Sequence, residues 1–406
     1  MTARACSYAI VGKRADVWPV AAMLARQLPE DAEISVTLLP GGVEEPAVVP
    51  LADPYFAALD IEAEALARAG ARFALGYSLE EFAGEGSRMI AAPSGDLPAI
   101  GGLAFHHILH RVAAEAEALD RFAELYEGFR FCARAATQGR MALPEDAPDS
   151  PLAMLGPLAV IERERLADVL EATLPAGRVA EVDDRQADFV IDLQARESDE
   201  ATLNIPCLAH SQIIAEYDGL PTYRLQDGSA ETFAIADPWR GNRIRLGPAC
   251  AAMGPMFSAD ARLLLLQVMH LVECLPSSHD AHVEARRFNR LHRRSVQRLY
   301  EMCAAPIALG RKDCPGDDML EGLALRIDQF RSRGHLPELE GEIADRQFWI
   351  DLMICFGVVP TRHDRRADAL DARQLDRALG TIRGQLEQSL AAMPTMERFL
   401  QRFGDS

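Results

Sequence analysis

The chain has 406 residues, 49% of them hydrophobic and 25% charged, which suffices for one large core or two domains and excludes a disordered or fibrous chain. Its 61 Asp and Glu against 42 Lys and Arg leave a formal net charge of -19, an acidic balance that repels nucleic acid and anionic membrane, so neither is expected as a partner. No window reaches the ~18 uninterrupted apolar residues of a membrane span, and the opening MTARACSYAIVG lacks a signal peptide's apolar stretch, so the expected location is the cytoplasm.

Tyr8 to Gly12 reads as a strand ending in glycine, Ala15 to Leu28 as a helix with Val17, Val20, Ala21, Leu24 and Leu28 on one face, and Ile34 to Leu39 as a second strand. Strand, turn, helix and strand in so short a stretch make a βαβ unit and imply a parallel sheet. A Gly- and Pro-rich loop follows over Gly41 to Pro54, then a helix over Ile61 to Ala69 and a strand over Arg72 to Phe82. Leu103 to Gln138 reads as one long helix. Pro144 to Pro151 (PEDAPDSP) is a breaker. A helix over Ile161 to Leu174, a buried strand over Phe189 to Leu193 and a β-rich stretch over Leu203 to Leu246 come next. Beyond Asp260 the chain reads as helices: Ala261 to Leu275, His282 to Cys303, Gly316 to Arg333, Arg346 to Phe356 and Ala372 to Phe403.

Several segments, in order, resemble the flavin-dependent tryptophan halogenases: AIVGKRADVWPVAAMLARQL, GVEEPAVVP (Gly42 to Pro50), ARFALGYSLEEF (Ala71 to Phe82), ADFVIDL (Ala187 to Leu193) and WRGNRIRLGPACAAMGPMFSADARLLLLQVMHLVECLP (Trp239 to Pro276). The family's WxWxIP motif is absent, with only Asn204 to Pro206 (NIP) at its place. The resemblance implies an α/β, flavoprotein-monooxygenase-like fold: a Rossmann-type βαβ core with a β-rich segment over residues 1–260, and a helical C-terminal region over 261–406. It also implies a dimer.

The family's chemistry meets substitutions here. In a GxGxxG loop the glycines make the turn, admit the pyrophosphate and let the helix approach the strand, while the helix N-terminus attracts the anion. This loop reads Gly12-Lys13-Arg14-Ala15-Asp16-Val17, with Arg14 at the second glycine and Val17 at the third; Pro40 replaces the ribose-binding acid, and Leu193-Gln194 follows the later strand. The resemblance places the lysine that engages hypohalous acid at Ala74 and its glutamate at Phe257, and the chain's only lysines are Lys13 and Lys312. Phenylalanine neither accepts a proton nor orients an electrophile, and Met253 to Ala261 holds no glutamate. Gly12, Lys13, Arg14, Gly247, Pro255 and Ser258 remain as vestiges of a flavin site, Gly247, Pro248 and Pro255 keeping a loop shape.

These substitutions lead to the expectation of a degenerate relative: no catalytic residues, no cofactor, and a binding role, as a homodimer or as partner of an active halogenase or oxygenase paralogue. The alternative is a flavin-dependent halogenase or monooxygenase that holds FAD in an altered mode, through Lys13 and Arg14, and acts on an indole-like substrate. His106, His107 and His110 form HHxxH; His106 and His110 sit one turn apart as a metal pair would, but with no third ligand they read as core or surface histidines. Glu44 and Glu45 are spare carboxylates near the flavin loop, Asp183, Asp184 and Asp188 read as a solvated turn, and Arg286, Arg287, Arg290, Arg293, Arg294 and Arg298 read as a basic helix paired within the chain. Eight cysteines, among them Cys207 and Cys314, form no CxxC pair and fit a reducing compartment.

Overall fold

The computed structural model describes residues 6–404 except 94, 96, 148–149, 183–185, 195–201, 204–210, 229–231, 277–279 and 312–319. Asp183, Asp184, the NIP stretch, Cys207, Lys312 and Cys314 therefore lie outside the described residues. Two compact units are present: Met1–Arg72 with Ala159–Ile214 and Gln226–Cys303, and Phe73–Leu158 with Ala215–Leu225 and Ala304–Ser406.

The first unit is built on a six-stranded sheet. Across it run Trp239–Arg240, Arg243–Arg245, Phe189–Asp192, Tyr8–Lys13, Ile34–Leu39 and Ala180–Glu181. Tyr8–Lys13 is parallel to both neighbours, with Tyr8 opposite Ile34 and Phe189, as the βαβ reading requires. An unbroken apolar run suits a strand buried on both faces, and Tyr8 to Val11 are all buried. The helix Arg14–Gln27 follows directly and buries Val17, Val20, Ala21 and Leu24.

An aromatic row crosses one end of this sheet. Tyr8 stacks on Phe189 at 5.8 Å, Phe189 meets Trp239 edge-on at 6.1 Å, and Trp239 meets Phe288 at 5.8 Å. Asn289, one residue further, holds the backbone of Trp239 from both sides: its Oδ1 accepts from Trp239 N at 2.9 Å and its Nδ2 donates to Trp239 O at 3.0 Å. Buried His292 bridges Gln267 and the Ile235 carbonyl, at 3.0 and 2.9 Å.

In the second unit Tyr77–Glu80 pairs parallel with Thr222–Asp227 and antiparallel with Arg88–Ala91. Its helices Phe122–Glu127 and Arg346–Cys355 contribute to a buried polar knot. Asp351 accepts from Tyr126 Oη and Gln347 Nε2, each at 2.6 Å, and from Arg130 Nε at 3.2 Å. Two helical expectations are corrected here. Leu103 to Gln138 is not one helix but Phe105–Glu115, Phe122–Glu127 and Phe131–Thr137; Glu117 turns left-handed at φ 51°, and Gly128 ends the middle piece. Ala372 to Phe403 breaks into Ala372–Ala392 and Met396–Gly404 because Pro394 lacks the N–H that continuation needs. Conversely, the helix from His282 runs through Pro306 to Arg311.

Asn289→Ala strands two buried backbone groups of Trp239 and is expected to destabilise the first unit by about 1–3 kcal/mol. Urea denaturation followed by tryptophan fluorescence checks this; a loss below about 0.5 kcal/mol would mean that water replaces the amide.

Candidate functional site

The end of strand Tyr8–Lys13 shows why Gly12 is glycine. A Cβ there would lie 2.7 Å from Leu193 Cβ, where the chain leaving Phe189–Asp192 crosses closely. The next two residues part company. Lys13 Nζ donates to the Gly42 carbonyl at 3.2 Å, reaching the loop that follows the second strand. Arg14 turns the other way, onto the helix Arg163–Ala172, where its guanidinium meets Glu171 at 2.5 Å, Asp168 at 2.8 Å and Glu164 at 3.7 Å. The expectation that Arg14 is a cofactor contact therefore has no support in its placement: three carboxylates hold it away from the loop. The helix Arg14–Gln27 begins without a side-chain cap, and Ala15, Asp16 and Val17 of its first turn are buried.

A reciprocal pair runs back across the same two helices. Arg163 Nη2 lies 2.5 Å from Asp16, whose side chain is 3% exposed. Asp16 occupies an otherwise apolar helix face, and that misfit is the sequence signal by which it could have been found.

Arg163 also lines a small polar cavity with Glu45, Pro46, Gly254, Ser258 and Asp260, of about 10 Å³, room for about one water. The segment beneath it is strained. Phe257 (φ 52°, ψ 26°) and Ser258 (φ 54°, ψ 43°) are consecutive left-handed residues, and neither is glycine. Phe257 is fully buried. Ser258 Oγ accepts from Val48 N at 2.9 Å and donates to Pro46 O at 3.3 Å, fastening residues 46–48 to the start of helix Ala259–Glu273. Pro255 precedes this turn, and Gly247, at φ 51°, donates its N–H to Gln267 Oε1 at 2.7 Å.

Asp260 is the residue a search of this stretch for glutamate passes over. Its Oδ1 accepts from Met253 N at 2.6 Å. Burial pushes its carboxyl up to about 6 and Glu45 pushes the same way, against the Met253 amide and Arg163. Glu45 thus belongs to this site, whereas Glu44 does not line the cavity. Ala74 lies in the second unit, buried in strand Arg72–Ala74. Of the core and surface placements left open for the histidine motif, the structure shows core: His106 Nε2 bonds the Gly334 carbonyl and His110 Nε2 the Pro360 carbonyl, both at 2.7 Å. Among the described residues no group of three or more side chains is arranged to hold a metal, and no helix is long and apolar enough to cross a membrane. In the basic helix, Arg287 pairs with Glu273 at 3.0 Å and Arg298 with Glu301 at 2.6 Å.

A family model described as tryptophan halogenase matches residues 7–216 and 208–372. No curated protein matches the sequence. Among solved structures, the flavin-dependent halogenase BrvH from Brevundimonas sp. BAL3 superposes with TM-score 0.82 at 18% identity, covering 98% of this chain and 99% of that one. Xcc4156, a flavin-dependent halogenase from Xanthomonas campestris, gives 0.81 at 17% identity over 98% of both chains. The tryptophan 6-halogenase SttH from Streptomyces toxytricini gives 0.74 at 13%, covering 98% and 99%. These likenesses bear out the α/β, flavoprotein-monooxygenase-like fold. They overturn the expectation of no cofactor, because relatives of this fold are flavin-dependent and point to a flavin instead.

A carboxyl raised by burial favours folding below its unfolded-state pKa and loses that contribution as pH rises through about 6. Asp260→Asn keeps the acceptor for Met253 N and removes the charge. It is expected to be more stable than the parent by on the order of 1–3 kcal/mol above about pH 7, with the gap closing toward about pH 4. Denaturation at both pH values decides; equal stabilities throughout would mean the carboxylate is compensated at no cost.

Proposed function

This chain belongs to the tryptophan halogenase family, and on that premise we propose that it holds a flavin at an altered glycine loop and uses it to oxidise an indole-like substrate without halogenating it. The observation that carries the reading is the parting of Lys13 and Arg14. With Arg14 tied to the helix Arg163–Ala172, exposed Lys13 is left at a helix start that has no side-chain cap, beside buried Gly12. Backbone amides with a lysine are a donor set that suits a pyrophosphate, so these residues fit the group through charge where the family uses glycine. Lys13, at the start of the helix, would hold the phosphates. Ser258 would act indirectly, by positioning residues 46–48. When bound and reduced, a flavin supplies the means to activate dioxygen.

The absence of halogenation rests on two positions that the family resemblance assigns. Ala74 is a buried alanine, and Phe257 is a fully buried phenylalanine. Neither side chain offers a group to engage or orient an electrophile. The same two positions favour a second reading, in which the chain serves as a non-catalytic partner of an active paralogue; co-purification from native cells separates the two.

Lys13→Ala is expected to weaken FAD binding about tenfold, equivalent to about 1.4 kcal/mol, while Arg14→Ala leaves it within about twofold and lowers thermal stability. Titration followed by flavin fluorescence gives both numbers, and equal losses in the two variants would return Arg14 to the cofactor. For the reaction, the protein is supplied with FAD, a flavin reductase, halide, dioxygen and indole or tryptophan, and the products are weighed by mass spectrometry. The expected product carries oxygen and no halogen. A halogenated product absent from enzyme-free controls would overturn the proposal.

A further inference from the structure

In the second unit the helix Phe105–Glu115 meets the chain around 360–370 at a pair of histidines. His110 Nε2 lies 2.7 Å from the Pro360 carbonyl. A carbonyl oxygen only accepts, so this nitrogen carries the hydrogen and the His110 Nδ1 presents a lone pair. His363 Nε2 lies 2.6 Å from Asp368 Oδ1. The carboxylate likewise only accepts, so neutral His363 also presents its Nδ1 as a lone pair. The two Nδ1 atoms are 3.3 Å apart. The ring centroids are 5.5 Å apart, nearly the sum of that gap and the two ring radii, so the lone pairs aim at one another and not at a third point. Two acceptors in this arrangement repel unless a proton lies between them.

We propose that His110, His363 and Asp368 form a proton-dependent clasp, in which one proton on the Nδ1–Nδ1 line fastens segment 361–370 to the helix Phe105–Glu115. With that proton in place one Nδ1 donates to the other, while His363 Nε2 donates to Asp368. Burial holds His110 below the ordinary histidine range, and the Phe122 ring packs against it at 5.6 Å. His363 is 19% exposed, so its proton exchanges with solvent.

The charges facing the clasp are otherwise engaged. On the helix, Arg111 pairs with Glu115 at 2.8 Å and donates to the carbonyls of Ala367 and Leu370, while His106 bonds Gly334 and stays neutral by burial. His107, also lowered by burial, faces Asp364, His335 and Arg346. On the segment, Asp364 pairs with Arg366 at 2.7 Å, and Arg365 and Arg111 act on Asp368 beside His363. Arg111 donates to the Ala367 and Leu370 carbonyls and Thr361 donates to the Arg331 and Ser332 carbonyls, so loss of the proton frees the residues around His363 while both ends of the segment stay attached.

The sign follows from proton counting. The closed clasp holds one proton that the opened segment gives up as pH rises past the histidine range, so closure weakens with rising pH. At low pH His110 also protonates, and two imidazolium rings repel. Closure is therefore bell-shaped in pH.

The test is amide hydrogen exchange of 361–370 in the full chain, corrected for the intrinsic rate at each pH. Protection is expected to peak near or below the ordinary histidine value of about 6.5 and to fall by up to about tenfold per pH unit above the peak. His363→Gln carries an amide donor that does not titrate and is expected to show flat protection on the alkaline side, while His363→Ala shows low protection throughout. Wild-type protection independent of pH would overturn the clasp, as would a Gln variant that follows the wild-type profile. Protection restored at high pH only by added zinc would replace the proton with a metal ion and overturn it too.

Discussion

Two helices of the first unit are braced against each other by exchanged charges, and much of the candidate site follows from that brace. Arg14 of the first helix reaches Glu164, Asp168 and Glu171 of the second, and Arg163 of the second reaches back to Asp16. Asp16 is buried, so removing Arg163 would leave an uncompensated charge in the interior, a far larger penalty than loss of an exposed pair. The brace decides which face of each helix meets the other. It withdraws the arginine that replaces a glycine from the place where a cofactor's phosphates would need room. It also sets Arg163 at the edge of the cavity shared by Glu45, Ser258 and Asp260.

That cavity stands on strained backbone. Left-handed conformations at two successive non-glycine residues cost of order 1–3 kcal/mol each and persist only where the surroundings over-determine them. Here Phe257 is locked by burial, and Ser258 is locked by its bonds to Val48 and Pro46. The result couples the loop after the second strand to the start of a long core helix. A buried carboxyl raised to about 6 lies at the same corner, accepting from Met253 N.

The second unit handles buried polarity differently. Asp351 is saturated by a tyrosine, an arginine and a glutamine. His106 and His107 are instead kept neutral by burial, with their basicity lowered to about 3 and about 4. Such histidines hold no proton when folded and take one when unfolded, so they favour the native state above about pH 6.5 and cease to do so in acid. His110 differs in having a partner within reach, and that difference is what turns a core histidine into a titratable clasp.

Much of the fold was legible in the residues. The opening βαβ unit, the buried strand Phe189–Asp192 and the helical run after Asp260 all follow from apolar periodicity, because a strand repeats every two residues and a helix about every 3.6. The breaks that periodicity missed, at Glu117 and at Pro394, are single-residue events inside otherwise helical patterns. In the site, the lost glycines, Ala74 and Phe257 were visible as letters, since each is defined by what its side chain lacks. What the letters did not hold was direction. Whether Arg14 faces the loop or the neighbouring helix, whether Asp260 meets Glu45, and whether two histidines 253 residues apart share a line are set by side chains that meet only after distant strands and helices have packed. Local pattern determines which elements form, and the partner each charged group finds is decided by tertiary packing, because electrostatic contact depends on distance in space and not along the chain.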